Sequence, residues 1–127
     1  MSPTFLTVEE VVDLHGRLME QFGGSVEVRD LGLLQSALAM PSASFGGEFL
    51  HDTLPGMAAA YLFHFVQNHA FVDGSNRIGA AAARVFLQMN GASFDPTEAK
   101  YGDLVLAVAG GKLDKSAVVE FFRKRVK

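Results

Sequence analysis

Two neighbouring segments of the chain constrain its fold more than any others. Residues 54–68 are apolar around most of a helical circumference, with Met57, Tyr61 and Phe65 among their large side chains. A helix of this kind has to be buried. Residues 75–90 follow closely and carry Gly79 and the four alanines after it, small side chains that let another helix approach. The pattern predicts a central pair of packed helices joined by a short loop.

Capping signals predict further helices around this pair. Thr7 and Glu10 have the spacing of a capping box, and Asp30 and Asp114 are good N-cap residues. Residues 42–55 break the helical pattern around Gly46-Gly47, so we predict a loop or short hairpin there. The outer helices are predicted from Thr7 to Gly23, Asp30 to Pro41, Thr97 to Ala109 and Asp114 to Arg125. The expected fold is all-α, a single compact bundle of about six helices over residues 1–127.

Composition excludes several classes of function. The formal net charge of −3 gives no general attraction to nucleic acid, so no direct nucleic-acid binding is expected. The chain has no cysteine, which excludes disulfides and thiolate metal sites. No apolar run reaches the ~18 residues of a membrane span, and no signal-peptide pattern opens the chain. We therefore expect a cytoplasmic protein without a membrane partner.

The loop between the two central helices contains residue types suited to phosphate chemistry. It reads His69-Ala-Phe-Val-Asp73-Gly74-Ser75-Asn76-Arg77. A helix N-terminus offers free backbone N–H groups to an anion, and a glycine allows close approach. An arginine grips phosphate oxygens, a carboxylate holds a divalent cation, and a histidine accepts a proton. The same residues would also suit an ordinary turn between helices, and residue types alone do not separate the two interpretations.

Two details favour a site over a simple turn. Phe71 is apolar within a polar loop, so we expect it to anchor the loop in the core. His69 and Asp73 lie two residues to either side of it and are expected to face one common opening.

The loop resembles the signature of the Fic/Doc family, His-x-Phe-x-(Asp/Glu)-(Gly/Ala)-Asn-(Gly/Lys)-Arg. The resemblance extends over most of residues 7–91 and is strongest to the compact death-on-curing (Doc) branch. It is carried outside the loop by Leu14-His15, Phe22-Gly23-Gly24, Val28 to Leu38, Pro41, Phe45-Gly46-Gly47, Asn68 and Phe86 to Gly91. The fold that it implies is a small all-α bundle with the motif loop between two core helices.

The resemblance implies a role for each motif residue. His69 would be the general base for a target hydroxyl, and Asp73 would hold Mg²⁺ on the phosphates of ATP. Gly74 and the backbone of Ser75 and Asn76 would form an anion hole, and Arg77 would grip phosphate. The implied partners are a small antitoxin and a target protein, for which translation machinery is the usual class. The loop around Phe45 and Gly46-Gly47 would be a flap that docks the target by strand addition.

Three positions depart from the pattern of the wider family. Ser75 replaces the usual Asn, and Asn76 replaces Lys or Gly, which removes a positive charge from the phosphate pocket. Ala80 stands where nucleotidyl-transferring members have a second arginine, and Arg84 lies too far along the helix to replace it. The Doc branch also lacks that arginine, so transfer of the terminal phosphate of ATP to a Ser or Thr hydroxyl is favoured. AMP transfer and a catalytically degenerate antitoxin-binding module remain as alternatives.

The other histidines show no metal-ligand spacing. His15 lies in the first helix, His51 in the loop and His64 on the apolar helix. We expect His64 to be a core histidine whose hydrogen bonds are satisfied.

Overall fold

The computed structural model describes residues 2–127 and confirms the all-α bundle. Its helices are α1 (Val8–Phe22), α2 (Leu31–Ala39), α3 (Leu54–Asn68), α4 (Ser75–Met89), α5 (Glu98–Ala109) and α6 (Lys115–Arg125). A hairpin of two short antiparallel strands, β1 (Ser44–Phe45) and β2 (Glu48–Phe49), interrupts the helices. No helix in residues 2–127 is both long and apolar enough to cross a membrane.

Helix α3 is the centre of the bundle. It packs against α2, α4, α5 and α6, and nine of its fifteen residues are buried. Its most extensive partner is α4. A Cβ atom on Gly79 would lie 2.7 Å from Cγ2 of Val66 and 3.0 Å from the carbonyl oxygen of Leu62, so a larger residue would push the two helices apart. The predicted close packing of the central pair is confirmed.

Local signals at the helix ends are confirmed as well. Thr7 and Glu10 form the capping box of α1, and the side chains of Asp30 and Asp114 accept backbone N–H groups at the starts of α2 and α6. The predicted loop or hairpin is a hairpin. Its turn residues Gly46 and Gly47 have φ values of 62° and 83°, the conformation of the tight two-residue turns that join antiparallel strands.

The prediction for His64 was wrong in one respect. The side chain is largely buried on α3, but its Nε2 atom has no hydrogen-bond partner in residues 2–127. Burial, followed by the positive charge of Lys115 and the influence of His51, lowers the pKa of His64 to about 4. The imidazole is therefore neutral at physiological pH. An apolar helix identifies a buried position, but it does not show whether another element supplies a partner for a polar atom there.

Candidate active site

The motif loop lies between α3 and α4 and forms one open pocket. The pocket has a volume of about 320 Å³ and is lined by His69, Val72, Asp73, Gly74, Ser75, Asn76 and Arg77. All the residues predicted to form a site are therefore brought together, and His69 and Asp73 face a common opening as expected. A larger depression of about 550 Å³ lies beyond the C-terminal end of α4, but no histidine lines it.

Phe71 fixes the loop in the core, as predicted. Its side chain is only 1% exposed, whereas Val72 and Asp73 beside it are exposed. The ring stacks on the imidazole of His15, with 3.7 Å between ring centroids and 10° between ring planes. The loop therefore turns its phenyl ring inward and its polar groups outward.

His15 also binds the loop directly. Its Nε2 lies 2.7 Å from the carbonyl oxygen of Asp73. Because a carbonyl only accepts, Nε2 must carry the proton. The side chain is fully buried. No function was predicted for this histidine, although its position on the buried face of α1, four residues after Val11 and four before Met19, was a usable signal.

The α1–α2 connection, residues 23–30, braces the other side of the loop. Val28 and Phe71 form an antiparallel bridge. The N–H of Val72 donates to the carbonyl of Glu27 at 3.1 Å, and the N–H of Arg29 donates to the carbonyl of Ala70 at 2.8 Å. This short strand-like pairing fixes the middle of the motif loop.

The carboxylate of Asp73 is oriented by the same connection. Its Oδ2 accepts the backbone N–H of Ser25 at 2.8 Å. Gly24 permits this approach, because a Cβ on Gly24 would lie 3.2 Å from the Cβ of Asp73 and 2.8 Å from Sδ of Met19. With Oδ2 held in this way, Oδ1 is left for a cation.

Helix α4 begins differently from the other helices described in residues 2–127. In the other five, the side chain of the N-cap residue accepts a backbone N–H group of the first turn. These N-cap residues are Thr7, Asp30, Thr53, Thr97 and Asp114. The N-cap of α4 is Gly74, in the left-handed conformation and with no side-chain cap. The first-turn N–H groups of α4 therefore lie at the pocket without a capping side chain. Uncapped N–H groups at the positive end of a helix dipole favour an anion.

Arg77 lies in the first turn of α4, beside these N–H groups. Its guanidinium carbon lies 3.8 Å from the centroid of the Phe22 ring. Phe22, the last residue of α1, is 50% exposed and forms the platform under this arginine. The sequence gave no sign of this stacking, because 55 residues separate the pair.

The structure also places the positions that depart from the family pattern. Ser75 and Asn76 line the pocket, and Arg77 is the only permanent cation among its described lining residues. Arg84 does not replace the arginine missing at Ala80. Its Nη2 is paired with Oε1 of Glu98 at 2.8 Å, and its guanidinium lies over the ring of Tyr101.

The pocket offers few ligands to a metal. Residues 2–127 contain no group of three or more His, Asp or Glu side chains that could hold a metal ion. A single carboxylate fits Mg²⁺ nonetheless, because this cation is commonly bound by one or two carboxylates together with substrate phosphates and water. Asp73 lies beside the uncapped start of α4, where phosphate oxygens could complete such a site.

Comparison with known proteins places the chain in a family. The model of the Fic/DOC family matches residues 5–87, which include the complete motif loop. A curated relative, Toxin Doc of Mycolicibacterium smegmatis (strain ATCC 700084 / mc(2)155), is 42% identical over 101 residues. The match covers 76% of each of the two chains.

Proposed function

The chain belongs to the Fic/DOC family, and on this premise we propose that it is the toxin of a toxin–antitoxin pair. In this proposal it transfers the terminal phosphate of ATP to a Ser or Thr hydroxyl of a target protein in the cytoplasm. The single observation that carries the proposal is the uncapped start of α4, flanked by Arg77 and Asp73, in the same pocket as His69. The name of the relative supports the toxin role and, with it, an antitoxin partner.

The proposed chemistry uses each group once. The N–H groups of the first turn of α4 and the guanidinium of Arg77 bind phosphate oxygens. His69 takes the proton of the target hydroxyl while the hydroxyl oxygen forms a bond to the γ-phosphorus. The bond from that phosphorus to the bridging oxygen breaks, and ADP leaves with the electron pair. Mg²⁺ held by Asp73 would offset negative charge on the phosphates.

Two observations favour phosphate transfer over AMP transfer. Ala80 supplies no cation, and Arg84 is occupied by Glu98 and Tyr101. The pocket therefore lacks a second arginine to hold outer phosphates beyond the reacting one. The first-turn N–H groups and Arg77 form a single phosphate subsite, which suits the transferred group itself.

A second candidate function is antitoxin binding without catalysis. It is favoured by Ser75 and Asn76, because neither supplies the longer amide or the charge that the family pattern has at those positions. In that case the pocket would bind nucleotide weakly and transfer nothing.

One labelling experiment separates these possibilities. The purified protein is incubated with cell lysate, Mg²⁺ and ATP labelled on either the γ- or the α-phosphate, beside His69→Ala. The matched control is His51→Ala, which removes a histidine outside the pocket. Protein labelling from γ alone that requires His69 supports phosphate transfer, and labelling from α supports AMP transfer. Nucleotide binding without any His69-dependent label would support the second candidate, an antitoxin-binding module without catalysis.

A further inference from the structure

The backbone of His69 has an unusual conformation. Its φ and ψ are 51° and 49°, in the left-handed region, and it is the only non-glycine residue with positive φ in residues 2–127. Left-handed backbone is unfavourable for a residue with a Cβ. The residue occupies the C-cap of α3, where the chain leaves the helix and enters the motif loop. Something must hold it there, because the direction of its imidazole depends on these two angles.

Arg29 contacts the backbone at this point. Its Nε donates to the carbonyl oxygen of His69 at 2.7 Å, and its Nη2 lies 3.3 Å from the carbonyl oxygen of Asn68. These carbonyls lie at the end of α3, where helical C=O groups lack intrahelical donors and the helix dipole is negative. The planar guanidinium therefore spans two successive acceptors and fixes the two peptide groups that flank the Cα of His69.

The backbone of Arg29 is fixed as well. Its N–H and that of Asp30 both donate to the carbonyl of Ala70, at 2.8 Å and 3.1 Å. Asp30 is in turn the N-cap of α2. Side chain and main chain of the α1–α2 connection thus bind three successive carbonyls around the histidine, those of Asn68, His69 and Ala70. Arg29 is an exposed residue, but these hydrogen bonds anchor both its side chain and its main chain.

We propose that Arg29, by bridging the carbonyls of Asn68 and His69, is a positioning residue that holds His69 in its left-handed conformation and so aims the imidazole into the pocket. This inference rests on the proposed function only in treating His69 as the base. The hydrogen bonds of Arg29 described here go to Asn68, His69 and Ala70, none of which holds phosphate or metal in that proposal. Its loss should therefore change the rate of transfer and leave nucleotide binding intact.

The test compares Arg29→Met and Arg29→Lys with wild type. The methionine keeps much of the apolar stem and removes both donors, whereas the lysine keeps the charge but not the planar two-point contact. Arg17→Met is the matched control, because Arg17 is an exposed arginine on α1 whose partner is Asp13. Three quantities are measured: affinity for Mg²⁺·ATP, rate of His69-dependent labelling, and the backbone chemical shifts of His69 by NMR.

For Arg29→Met we expect unchanged Mg²⁺·ATP affinity and altered His69 shifts, with a rate lower by on the order of tenfold to a hundredfold, the size of a small misplacement of a catalytic group. Arg29→Lys should recover only part of the rate, and Arg17→Met should match wild type. Wild-type rate and His69 shifts in Arg29→Met would overturn the proposal. So would full recovery by the lysine, or a parallel loss of affinity and helicity, which would indicate a merely structural role.

The NMR measurement keeps this inference separate from the proposed function. If wild-type protein transfers no label, the proposed function fails, and the His69 shifts in the unliganded variants still decide the role of Arg29. A change confined to His69 and its neighbours would support the positioning role, and unchanged shifts would contradict it.

Discussion

The imidazole of His15 joins two parts of the motif loop, since it stacks on the ring of Phe71 and binds the carbonyl of Asp73 through Nε2. This one buried side chain of α1 therefore holds Phe71, which anchors the loop in the core, and also holds the backbone of Asp73, the proposed metal ligand. Its other nitrogen, Nδ1, has no partner in the described part of the chain. The hydrogen bond from His15 to the loop is therefore made by Nε2 alone.

Replacement of His15 by leucine should destabilise the protein and loosen the loop. Leucine fills a similar volume but cannot donate to the carbonyl of Asp73, and an unpaired, part-buried acceptor costs about 1–3 kcal/mol. The free energy of unfolding from urea titration measures this loss. His15→Gln retains an N–H donor and should lose less. Equal stability of His15→Leu and wild type would show that the hydrogen bond contributes nothing.

Gly74→Ala should be more destabilising than Gly91→Ala. Both glycines have left-handed φ values, 82° and 76°, so the backbone strain of an alanine is matched. A Cβ on Gly91 meets nothing within 4 Å, whereas on Gly74 it would clash with the Met19 side chain and lie 3.3 Å from Nε2 of His15. We expect Gly74→Ala to cost about 1 kcal/mol beyond the control, the low end of the range for overpacking, because the Met19 methyl is the end of a flexible side chain. Urea unfolding of the two variants checks the difference, and equal losses would contradict it.

Asp73→Asn should separate the structural role of this side chain, which accepts the N–H of Ser25, from its proposed role as a Mg²⁺ ligand. The amide oxygen can still accept the N–H of Ser25, so the melting temperature without ligand should stay close to that of wild type. The loss of charge should weaken Mg²⁺-dependent ATP binding by about tenfold or more, equivalent to about 1.4 kcal/mol. Calorimetric titration with ATP, with and without Mg²⁺, measures the effect. An unchanged dependence on Mg²⁺ would remove Asp73 from the metal site.

Phe22→Leu should weaken nucleotide binding modestly. Leucine stays apolar but removes the aromatic face under Arg77, and an exposed cation–π contact contributes about 0.5–1 kcal/mol. The expected result is therefore a two- to fivefold higher Kd for ATP, with stability little changed because Phe22 is half exposed. Phe45→Leu is the matched control, since Phe45 is 83% exposed on the hairpin and does not line the motif pocket. A larger effect at Phe45 than at Phe22 would contradict the platform role.

His64 should make the protein less stable in mild acid. Its pKa is lowered to about 4 in the folded protein from an ordinary value of 6.5, so the unfolded chain binds more protons between these values. Stability is then complete above pH 6.5 and falls as the pH decreases toward 4, with a slope of at most about 1.4 kcal/mol per pH unit for this group. The pKa of His51 is also lowered, chiefly by burial, and adds to the same trend.

The variant His64→Leu tests this assignment. It removes the titrating group and an unpaired imidazole nitrogen, so its stability at pH 7 should equal or exceed that of wild type. Urea unfolding between pH 7 and pH 4.5 should give a flatter profile than wild type. A profile parallel to that of wild type would place the acid sensitivity elsewhere.

The parts of the fold that follow from nearby residues could be predicted from the sequence. Thr7 with Glu10, Asp30 and Asp114 mark helix starts because each side chain bonds to a backbone group three residues away. The inward direction of Phe71 was also predictable from nearby residues, because a single apolar side chain in a polar loop is expected to pack into the core.

The bracing of the site could not be predicted in this way. Arg29 and His69 are 40 residues apart, and Phe22 and Arg77 are 55 apart, so no local period links them. His64 shows the same limit, because hydrogen-bond satisfaction of a buried imidazole depends on which distant groups pack beside it. The sequence identified which residues form the pocket, and the tertiary structure supplied what holds them.

The motif is contiguous in sequence, but the site is not, because residues of α1 and the α1–α2 connection hold the motif loop in place. Residues 69–77 grafted onto another helical hairpin would carry His69, Asp73 and Arg77. They would leave behind the imidazole of His15, the N–H of Ser25 and the guanidinium of Arg29, which fix the backbone of those groups. The transplantable unit is therefore the assembly of α1, the α1–α2 connection, α3 and α4. A search for further proteins with this site should require the bracing residues as well as the nonapeptide.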